Sequence, residues 1–242
     1  VPQISRDLHE VPQMPTTEWA IETGEWPNIV QAVLATTSFV DHYIGEVLNA
    51  LENSPYADNT IVVLWGDHGY HIGEKNRFAK HSLWEETSRV PLIIRSPDGL
   101  EGQVTNATVS LLDLYPTLVD LAGLPANPEN EGESLKPVLN GSSETSGHVA
   151  ITSYGFGNHA IRDERYRYIY FVDGSEELYD HQNDPNEWTN LAGDSRYDEV
   201  KQRLAQYLPE VNAPLSPVQS GGRAVNDHFA EMYEKAGLEV RR

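Results

Sequence analysis

A run of apolar and β-branched residues that ends in a carboxylate and an imidazole constrains this chain most. Residues 60–65 read Thr-Ile-Val-Val-Leu-Trp, and Gly66, Asp67, His68 and Gly69 follow directly. A continuous run of this kind predicts a strand covered on both faces, because a half-solvated strand would alternate apolar and polar residues. Ligands of open α/β sheets gather beyond the carboxyl ends of their strands, so Asp67 and His68 are predicted to lie in a functional site.

The composition is that of a folded, acidic protein. Of the 242 residues, 39% are hydrophobic, which suffices for one large core or for a large and a small one. The formal net charge of −20 argues against nucleic acid or an anionic membrane as the partner. No apolar stretch approaches the roughly 20 residues needed to span a bilayer. Cysteine is absent, which excludes disulfides, thiolate metal ligands and a thiol nucleophile within this chain.

The charge reverses locally after the Asp-His pair. An anionic substrate is expected to be drawn to residues 75–95, because basic side chains outnumber acidic ones there. The segment carries a local net charge of +3, from five basic residues (Lys75, Arg77, Lys80, Arg89, Arg95) and two acidic ones (Glu85, Glu86).

Residues 1–147 are predicted to belong to an α/β domain. The stretch up to Pro27 carries four prolines and little periodicity, so we read it as irregular. Helices and strands alternate after it, which favours a mostly parallel sheet flanked by helices. The expected elements are a helix from Asn28 to about residue 53, strands at 60–65 and 90–95, and helices at 81–88 and 113–121.

Residues 148–242 are predicted to form a small antiparallel-sheet subdomain with closing helices. Short runs rich in Tyr, Ile and Val, separated by turn residues, are typical of hairpins. The expected strands lie at 148–154, 158–162, 166–172 and 176–180, and the expected helices at about 195–207 and 225–236.

Asp67 and His68 are candidate metal ligands. Both side chains can face one ion only if the backbone turns sharply, which Gly66 and Gly69 permit. An oxygen and an imidazole nitrogen suit zinc, manganese or, less typically, calcium. The alternative is an aspartate that caps the following turn, with a histidine as its neighbour.

Lys80, thirteen residues after Asp67, is a candidate for binding an anionic oxygen or protonating a leaving group. It lies in a polar segment just before an expected helix, so the alternative is a solvated loop lysine. His71, Arg77 and His81 are candidates for substrate contact in the same cleft. Surface positions are the alternative for these three residues.

An ordered set of motifs resembles the formylglycine-dependent sulfatases, above all the branch that contains iduronate-2-sulfatase and bacterial polysaccharide sulfatases. The resemblance covers nearly the whole chain and rests on the order and spacing of the motifs. They are residues 39–48 (FVDHYIGEVL), 65–69 (WGDHG), 73–74 (GE), Lys80, 89–93 (RVPLI), 111–118 (LLDLYPTL), 177–180 (ELYD), 183–185 (NDP) and 190–192 (NLA).

The resemblance implies an alkaline-phosphatase-like fold and hydrolysis of a sulfate ester, on a sulfated carbohydrate or another sulfate ester. In that family a hydrated formylglycine attacks sulfur while a metal ion neutralises charge on the sulfate oxygens. Asp67 and His68 would be two ligands of a calcium ion, and Lys80 would contact the sulfate and its bridging oxygen. Many members carry Asn where this chain has His68. The resemblance also implies that the protein is periplasmic or secreted.

The nucleophile motif of that family is absent. Formylglycine is made from Cys or Ser in a C/S-x-P-x-R motif, whereas this chain has no Cys and none of its fifteen prolines has Ser two residues before it. We therefore expect the C-terminal half of a sulfatase, in which residues 1–147 end the main domain. The formylglycine is expected on a missing N-terminal half of the same protein, which would be the partner of this chain.

Two other functions stay open. A phosphodiesterase or phosphonate monoester hydrolase of the same superfamily also binds metal through Asp-His pairs, and a Thr or Ser nucleophile in the N-terminal half would favour it. The third possible function is that of a non-catalytic, glycan-binding derivative of a sulfatase. It predicts glycan binding that neither a chelator nor Lys80→Ala affects.

Overall fold

The structure is a computed structural model that describes residues 1–10, 14–99, 102–214 and 223–238. The chain divides into two compact units. We call them the two-stranded unit, which comprises Gln13–Lys80 and Arg89–Gly102, and the four-stranded unit, which comprises Val1–Pro12, His81–Ser88 and Gln103–Arg242.

Helices and strands are short apart from one long helix. The helices are α1 (Gln3–His9), α2 (Thr17–Thr23), α3 (Trp26–Glu52), α4 (Glu85–Ser88), α5 (Leu114–Leu121), α6 (Lys136–Leu139), α7 (Asp198–Ala205) and α8 (Arg223–Lys235). The strands are β1 (Val62–Trp65), β2 (Leu92–Arg95), β3 (Ala150–Ser153), β4 (His159–Arg162), β5 (Tyr166–Tyr170) and β6 (Glu176–Asp180). None of the helices in the described ranges is long and apolar enough to cross a membrane.

In the two-stranded unit, β1 pairs antiparallel with β2, from Val62 opposite Arg95 to Trp65 opposite Leu92. Parallel pairing, expected from the strand–helix alternation, is not found between the strands that the structure describes. The connection between β1 and β2 explains the difference. It is mostly irregular and contains only the four-residue helix α4, whereas a parallel pair needs a crossover that returns the chain to the starting edge.

The described part of the chain does not cover β1 on both faces, contrary to the prediction. Its first three residues are half-buried and Trp65 is exposed. The neighbouring helix α3 has no buried residue, and apolar side chains such as Phe39 and Val47 are 63% and 69% exposed. The amphipathic pattern therefore identified the helix correctly, but the apolar side chains of α3 are exposed in the part of the chain that the structure describes.

The described part of the opening stretch contains two helices, α1 and α2, which corrects the prediction of an irregular segment. Helix α2 begins after Thr16, whose Oγ1 accepts a hydrogen bond from Trp19 N at 3.1 Å, and it ends at Gly24 with φ 73°. These are regular start and stop signals of a helix. Pro27 occupies the first turn of α3, where proline fits, so this helix starts two residues before Asn28.

The four-stranded unit contains the predicted antiparallel sheet, with strand order β3-β4-β5-β6. All four strands begin within two residues of the predicted starts. Side chains alternate between two buried clusters. Ala160, Ile169 and Tyr179 lie with α1 and α8 residues, whereas Ile161, Tyr168 and Leu178 lie with Leu204 of α7. The sheet is therefore covered on both faces.

The predicted boundary at residue 147 lies just before β3. Within this chain, contacts group residues 103–147 with the four-stranded sheet. The division of the family fold into a main domain and a C-terminal subdomain at residue 147 stays a prediction.

Candidate functional site

Gly66 connects β1 to the candidate residues and allows a close approach of two chain segments. Its N–H donates to Pro91 O at 3.1 Å, and a Cβ added at Gly66 would lie 3.2 Å from Cβ of Val90. Its φ is not in the left-handed region. The glycine thus serves close packing beside β2, and not the sharp turn that the sequence suggested.

Three predicted site residues come together after β1. Nζ of Lys80 lies 2.8 Å from Nε2 of His68, and Oδ2 of Asp67 lies 3.5 Å from the same nitrogen. The side chains of Asp67 and His68 are 84% and 38% exposed, and Lys80 is exposed as well. Within this unit the three polar groups are therefore open to a ligand.

The neighbours of His68 assign its tautomer. Nδ1 lies 2.9 Å from the carbonyl oxygen of Gly69, which can only accept a hydrogen bond, so Nδ1 carries the proton. Nε2 is then the lone-pair nitrogen and accepts from the ammonium of Lys80. Oδ1 of Asp67 accepts from the His68 N–H at 3.1 Å, which leaves Oδ2 on the side of Nε2.

Asp67 and His68 present donors that fit a divalent cation. A histidine whose Nδ1–H is held by a carbonyl offers Nε2 as a ligand, the arrangement common in metal sites. The 3.5 Å between Nε2 and Oδ2 is short enough for both to reach one ion with bonds of about 2.0–2.6 Å. Calcium takes about six to eight ligands, so this chain would supply a minority of them. An ion on Nε2 would displace the ammonium of Lys80 from that lone pair.

The loop that carries these residues, Gly66 to Lys80, is anchored to α2 and α3. Hydrogen bonds from both helices hold its backbone, and another bond joins its two arms. The bonds are Trp26 Nε1 to Ile72 O (2.9 Å), Thr17 Oγ1 to Gly73 O (2.5 Å) and His71 N to Ala79 O (2.9 Å). Lys80 is therefore brought back towards His68 by an ordered loop.

His71 and Arg77, two predicted substrate contacts, are buried in the two-stranded unit. Burial, followed by the charges of Arg77 and Lys75, lowers the pKa of His71 to about 3. The imidazole is therefore neutral at pH 7. Substrate contact by His71 and Arg77 stays a prediction.

His81, the third predicted substrate contact, belongs to the four-stranded unit. It is half-buried, and its ring stacks on that of Tyr154 with centroids 5.8 Å apart and planes 28° from parallel. Tyr154 also stacks on His9, at 6.3 Å. Substrate contact by His81 likewise stays a prediction.

A buried cluster that the sequence did not reveal is formed by Glu85, His181 and Glu187. One possible ligand atom of each lies within 4.8 Å of the others. Arg167 already pairs with both carboxylates: its Nε lies 2.8 Å from Oε1 of Glu187, and its Nη2 bonds the carboxylate of Glu85. No local motif could indicate this cluster, because its members lie on α4 and in the chain after β6, and the arginine that pairs with them lies on β5.

Two family models match the chain. The Sulfatase model matches residues 6–124, and the model described as N-sulphoglucosamine sulphohydrolase, C-terminal, matches residues 73–213. The chain belongs to the sulfatase family. Sulfatases generally use a calcium ion and a formylglycine.

Curated relatives of this sulfatase-family chain are longer proteins. A sulfatase of Formosa agariphila is 47% identical over 213 residues, which cover 88% of this chain and 42% of that protein. A Delta 4,5-hexuronate-2-O-sulfatase of Bacteroides thetaiotaomicron is 35% identical over 178 residues, covering 68% of this chain and 37% of that protein. The chain thus spans less than half the length of these relatives.

Solved structures confirm the predicted α/β fold class with a small antiparallel sheet. A protein in complex with its substrate D-glucosamine-2-N,6-O-disulfate matches with a TM-score of 0.63 and 34% identity, over 72% of this chain and 38% of that chain. A phosphonate monoester hydrolase of Agrobacterium radiobacter matches with a TM-score of 0.63 and 28% identity, over 76% and 42%.

Proposed function

We propose that the intact protein hydrolyses a sulfate ester, and that this chain is its C-terminal part, in the branch of iduronate-2-sulfatase and bacterial polysaccharide sulfatases. One observation carries the proposal: Lys80 Nζ and Asp67 Oδ2 meet His68 Nε2 at 2.8 Å and 3.5 Å in a chain of the sulfatase family. A cation site beside an ammonium group is suited to an oxyanion substrate.

The three residues have separate roles in this proposal. Asp67 and His68 would hold the cation, which when bound neutralises charge on the sulfate oxygens. Lys80 donates hydrogen bonds to a sulfate oxygen and protonates the ester oxygen as it leaves. The bond between sulfur and the ester oxygen breaks, and the products are an alcohol and inorganic sulfate.

We place the nucleophile, a formylglycine, in an N-terminal part of the same protein. The support is that this chain contains neither Cys nor a Ser two residues before a proline. The exposed apolar side chains of α3, among them Phe39 and Val47, also suit packing against further polypeptide.

A sulfated sugar is the proposed substrate class. One relative is a hexuronate-2-O-sulfatase, and a matching structure holds a disulfated glucosamine as its substrate. The local charge of +3 between residues 75 and 95 suits such anions. A periplasmic or secreted location is part of the proposal, and fractionation of the producing cells checks it.

The test uses the intact protein and sulfated hexuronate and glucosamine substrates. We expect Lys80→Ala to lower kcat/KM by about 10²- to 10⁴-fold, because acid assistance is lost. Asp67→Asn and a chelator should both remove activity, and added cation should restore it only in the chelated enzyme. Lys235→Ala changes an exposed lysine of α8 and is the matched control with unchanged turnover. Turnover at the wild-type rate, both in the presence of the chelator and in the Lys80→Ala variant, would refute the proposal.

A phosphonate or phosphate ester is the second candidate substrate, favoured by the match to a phosphonate monoester hydrolase. The same cation and lysine would serve it, because both esters present anionic oxygens. Parallel kcat/KM measurements on matched aryl sulfate, aryl phosphate and phosphonate monoester substrates separate the two. A higher value on the phosphonate would replace the sulfatase assignment.

A further inference from the structure

The loop that carries the candidate site folds back on itself through a tight turn. The N–H of Arg77 donates to the carbonyl oxygen of Glu74 at 3.3 Å, and the two residues between them, Lys75 and Asn76, have φ of 54° and 59°. A positive φ at both central residues is the requirement of a type I′ turn, which joins antiparallel segments. Such a conformation persists where surrounding contacts determine it. One of these contacts comes from α2, where the N–H of Glu18 donates to Oδ1 of Asn76 at 3.2 Å.

The turn brings two arms of the loop side by side, which we define as residues 68–73 and residues 77–80. Backbone hydrogen bonds join the arms: Gly73 N–H to Arg77 O (3.0 Å) and His71 N–H to Ala79 O (2.9 Å). Continued by one residue, this register places Tyr70 opposite Lys80. The two arms therefore present these side chains as neighbours.

The hydroxyl of Tyr70 links the two arms as well. It donates to the carbonyl oxygen of Phe78 at 3.0 Å. Phe78 is buried, and its ring meets that of Trp26 of α3 edge-on, with centroids 6.3 Å apart. The hydroxyl thus joins the first arm to a residue that packing against α3 holds in place.

This hydrogen bond lies close in the chain to both members of the contact between His68 and Lys80. His68 precedes Tyr70 by two residues, and Lys80 follows Phe78 by two, so about 7 Å of backbone at most separates the bond from the contact along each arm. All four residues belong to the two-stranded unit. Because the side chain of Lys80 is exposed, packing does not fix it, and its position depends on how its arm is held.

We infer that Tyr70 is a positioning residue for Lys80. The inference rests on the proposed function, since it concerns Lys80 as the group that binds the sulfate and protonates the ester oxygen. The hydroxyl of Tyr70 holds the second arm against the first, and so keeps the ammonium of Lys80 beside the cation ligands Asp67 and His68. Tyr70 itself takes no part in bond breaking. A proton donor tolerates little displacement from the atom that it protonates.

Tyr70→Phe in the intact enzyme tests this role, because it removes the hydroxyl and keeps the ring. The substitution is made in the wild type and in the Lys80→Ala variant, and kcat/KM is measured on a sulfated hexuronate. We expect a loss of about tenfold in the wild type and of less than about twofold in Lys80→Ala, because a residue that acts through Lys80 has little effect once the lysine is gone. A merely structural role lowers kcat/KM by the same factor in both backgrounds.

Hydrogen exchange reports on the two arms without turnover. The amides of His71 and Gly73 donate across the arms, so in Tyr70→Phe both should exchange about five- to tenfold faster. The amides of β1 and β2 should keep their protection, which shows that the variant is folded.

Tyr56→Phe is the matched control. It makes the same substitution in the same unit, at a residue before β1 that is 63% exposed. It should change neither kcat/KM nor the exchange of the two cross-arm amides.

Equal losses in the two backgrounds, or unchanged exchange of the His71 and Gly73 amides, would overturn the inference. In that case the turnover of the wild type and its dependence on Lys80 stay as proposed. An intact wild-type protein that hydrolyses no sulfate ester overturns the proposed function instead, and the positioning role falls with it.

Discussion

At the scale of single residues, His71 is a histidine that folding keeps neutral. Burial, then the charges of Arg77 and Lys75, lowers its pKa from 6.5 to about 3. The unfolded chain binds this proton near pH 6.5 and the folded chain only near pH 3, so acid favours unfolding between these values. The contribution of His71 to stability is fully present above pH 6.5 and is lost as the pH falls towards 3.

We expect His71→Gln to flatten the acid side of the stability profile of the intact protein. As the pH falls from 6 to 4, the free energy of unfolding of the wild type should decrease more steeply than that of the variant, by up to about 1.4 kcal/mol per pH unit. Urea unfolding at several pH values measures both slopes. Parallel profiles for the two proteins would contradict a neutral, buried His71.

The contrast between His71 and Lys80 shows that a residue's neighbours in sequence do not reveal whether its side chain is buried. Both lie in one polar stretch of the chain, and both were candidates for a solvent-facing role. The structure buries His71 and exposes Lys80 beside His68. Residue type and local polarity could not separate them, because burial depends on α2 and α3, which anchor the loop.

At the scale of elements, the loop between Gly66 and Lys80 depends on a glycine that approaches α3. Gly73 has φ 115°, and a Cβ added there would lie 2.5 Å from the ring of Trp26. The same indole donates to the neighbouring Ile72 carbonyl at 2.9 Å. The loop and the start of α3 are therefore packed too closely for any side chain at this position.

We expect Gly73→Ala to lower the free energy of unfolding by about 3 kcal/mol, because a left-handed conformation and a steric clash act together. Gly24→Ala is the matched control in the same unit. Gly24 also has a positive φ, 73°, but a Cβ there meets nothing within 4 Å, so its cost should be about 1 kcal/mol. Equal values from chemical unfolding of the two variants would show that the contact with Trp26 is unimportant.

The elements differ in how well periodicity predicted them. Strands β3 to β6 follow the prediction closely, because short alternating runs and turn residues define hairpins locally. The expected helix at 81–88 is reduced to α4, Glu85–Ser88. Residues 81–84 are not helical, and Leu83 and Trp84 among them donate hydrogen bonds to His9 and Glu177. Tertiary hydrogen bonds thus replaced helical ones where the local pattern was weak.

At the scale of the whole molecule, α3 exposes an apolar surface that is unusual for a folded chain. The exposed large side chains on this helix are Leu34, Phe39, Val40, Tyr43 and Val47. Monomeric proteins rarely leave contiguous apolar patches of this kind in water. In a protein of the length of the curated relatives, we expect further polypeptide to cover it.

Phe39→Glu should therefore have opposite effects in two contexts. In the isolated chain it should reduce self-association, measured by light scattering, because a charge replaces exposed apolar surface. In the intact protein it should lower the free energy of unfolding by about 3 kcal/mol or more, because the charge becomes buried. Val211→Glu is the control, at an exposed apolar residue of the four-stranded unit. It should change the free energy of unfolding by no more than about 0.5 kcal/mol, both in the isolated chain and in the intact protein. If Phe39→Glu leaves the free energy of unfolding of the intact protein unchanged, further polypeptide does not cover this surface.

The sequence by itself determined the local features: the hairpin strands, the long amphipathic helix and the placement of Asp67 and His68 directly after a strand. These follow from periodicity, turn residues and adjacency along the chain. Only the tertiary structure decided that Lys80 returns to His68 and that Arg167 joins Glu85 to Glu187. The partners in these contacts are distant in sequence, and their meeting depends on how loops and sheets pack, which no local pattern encodes.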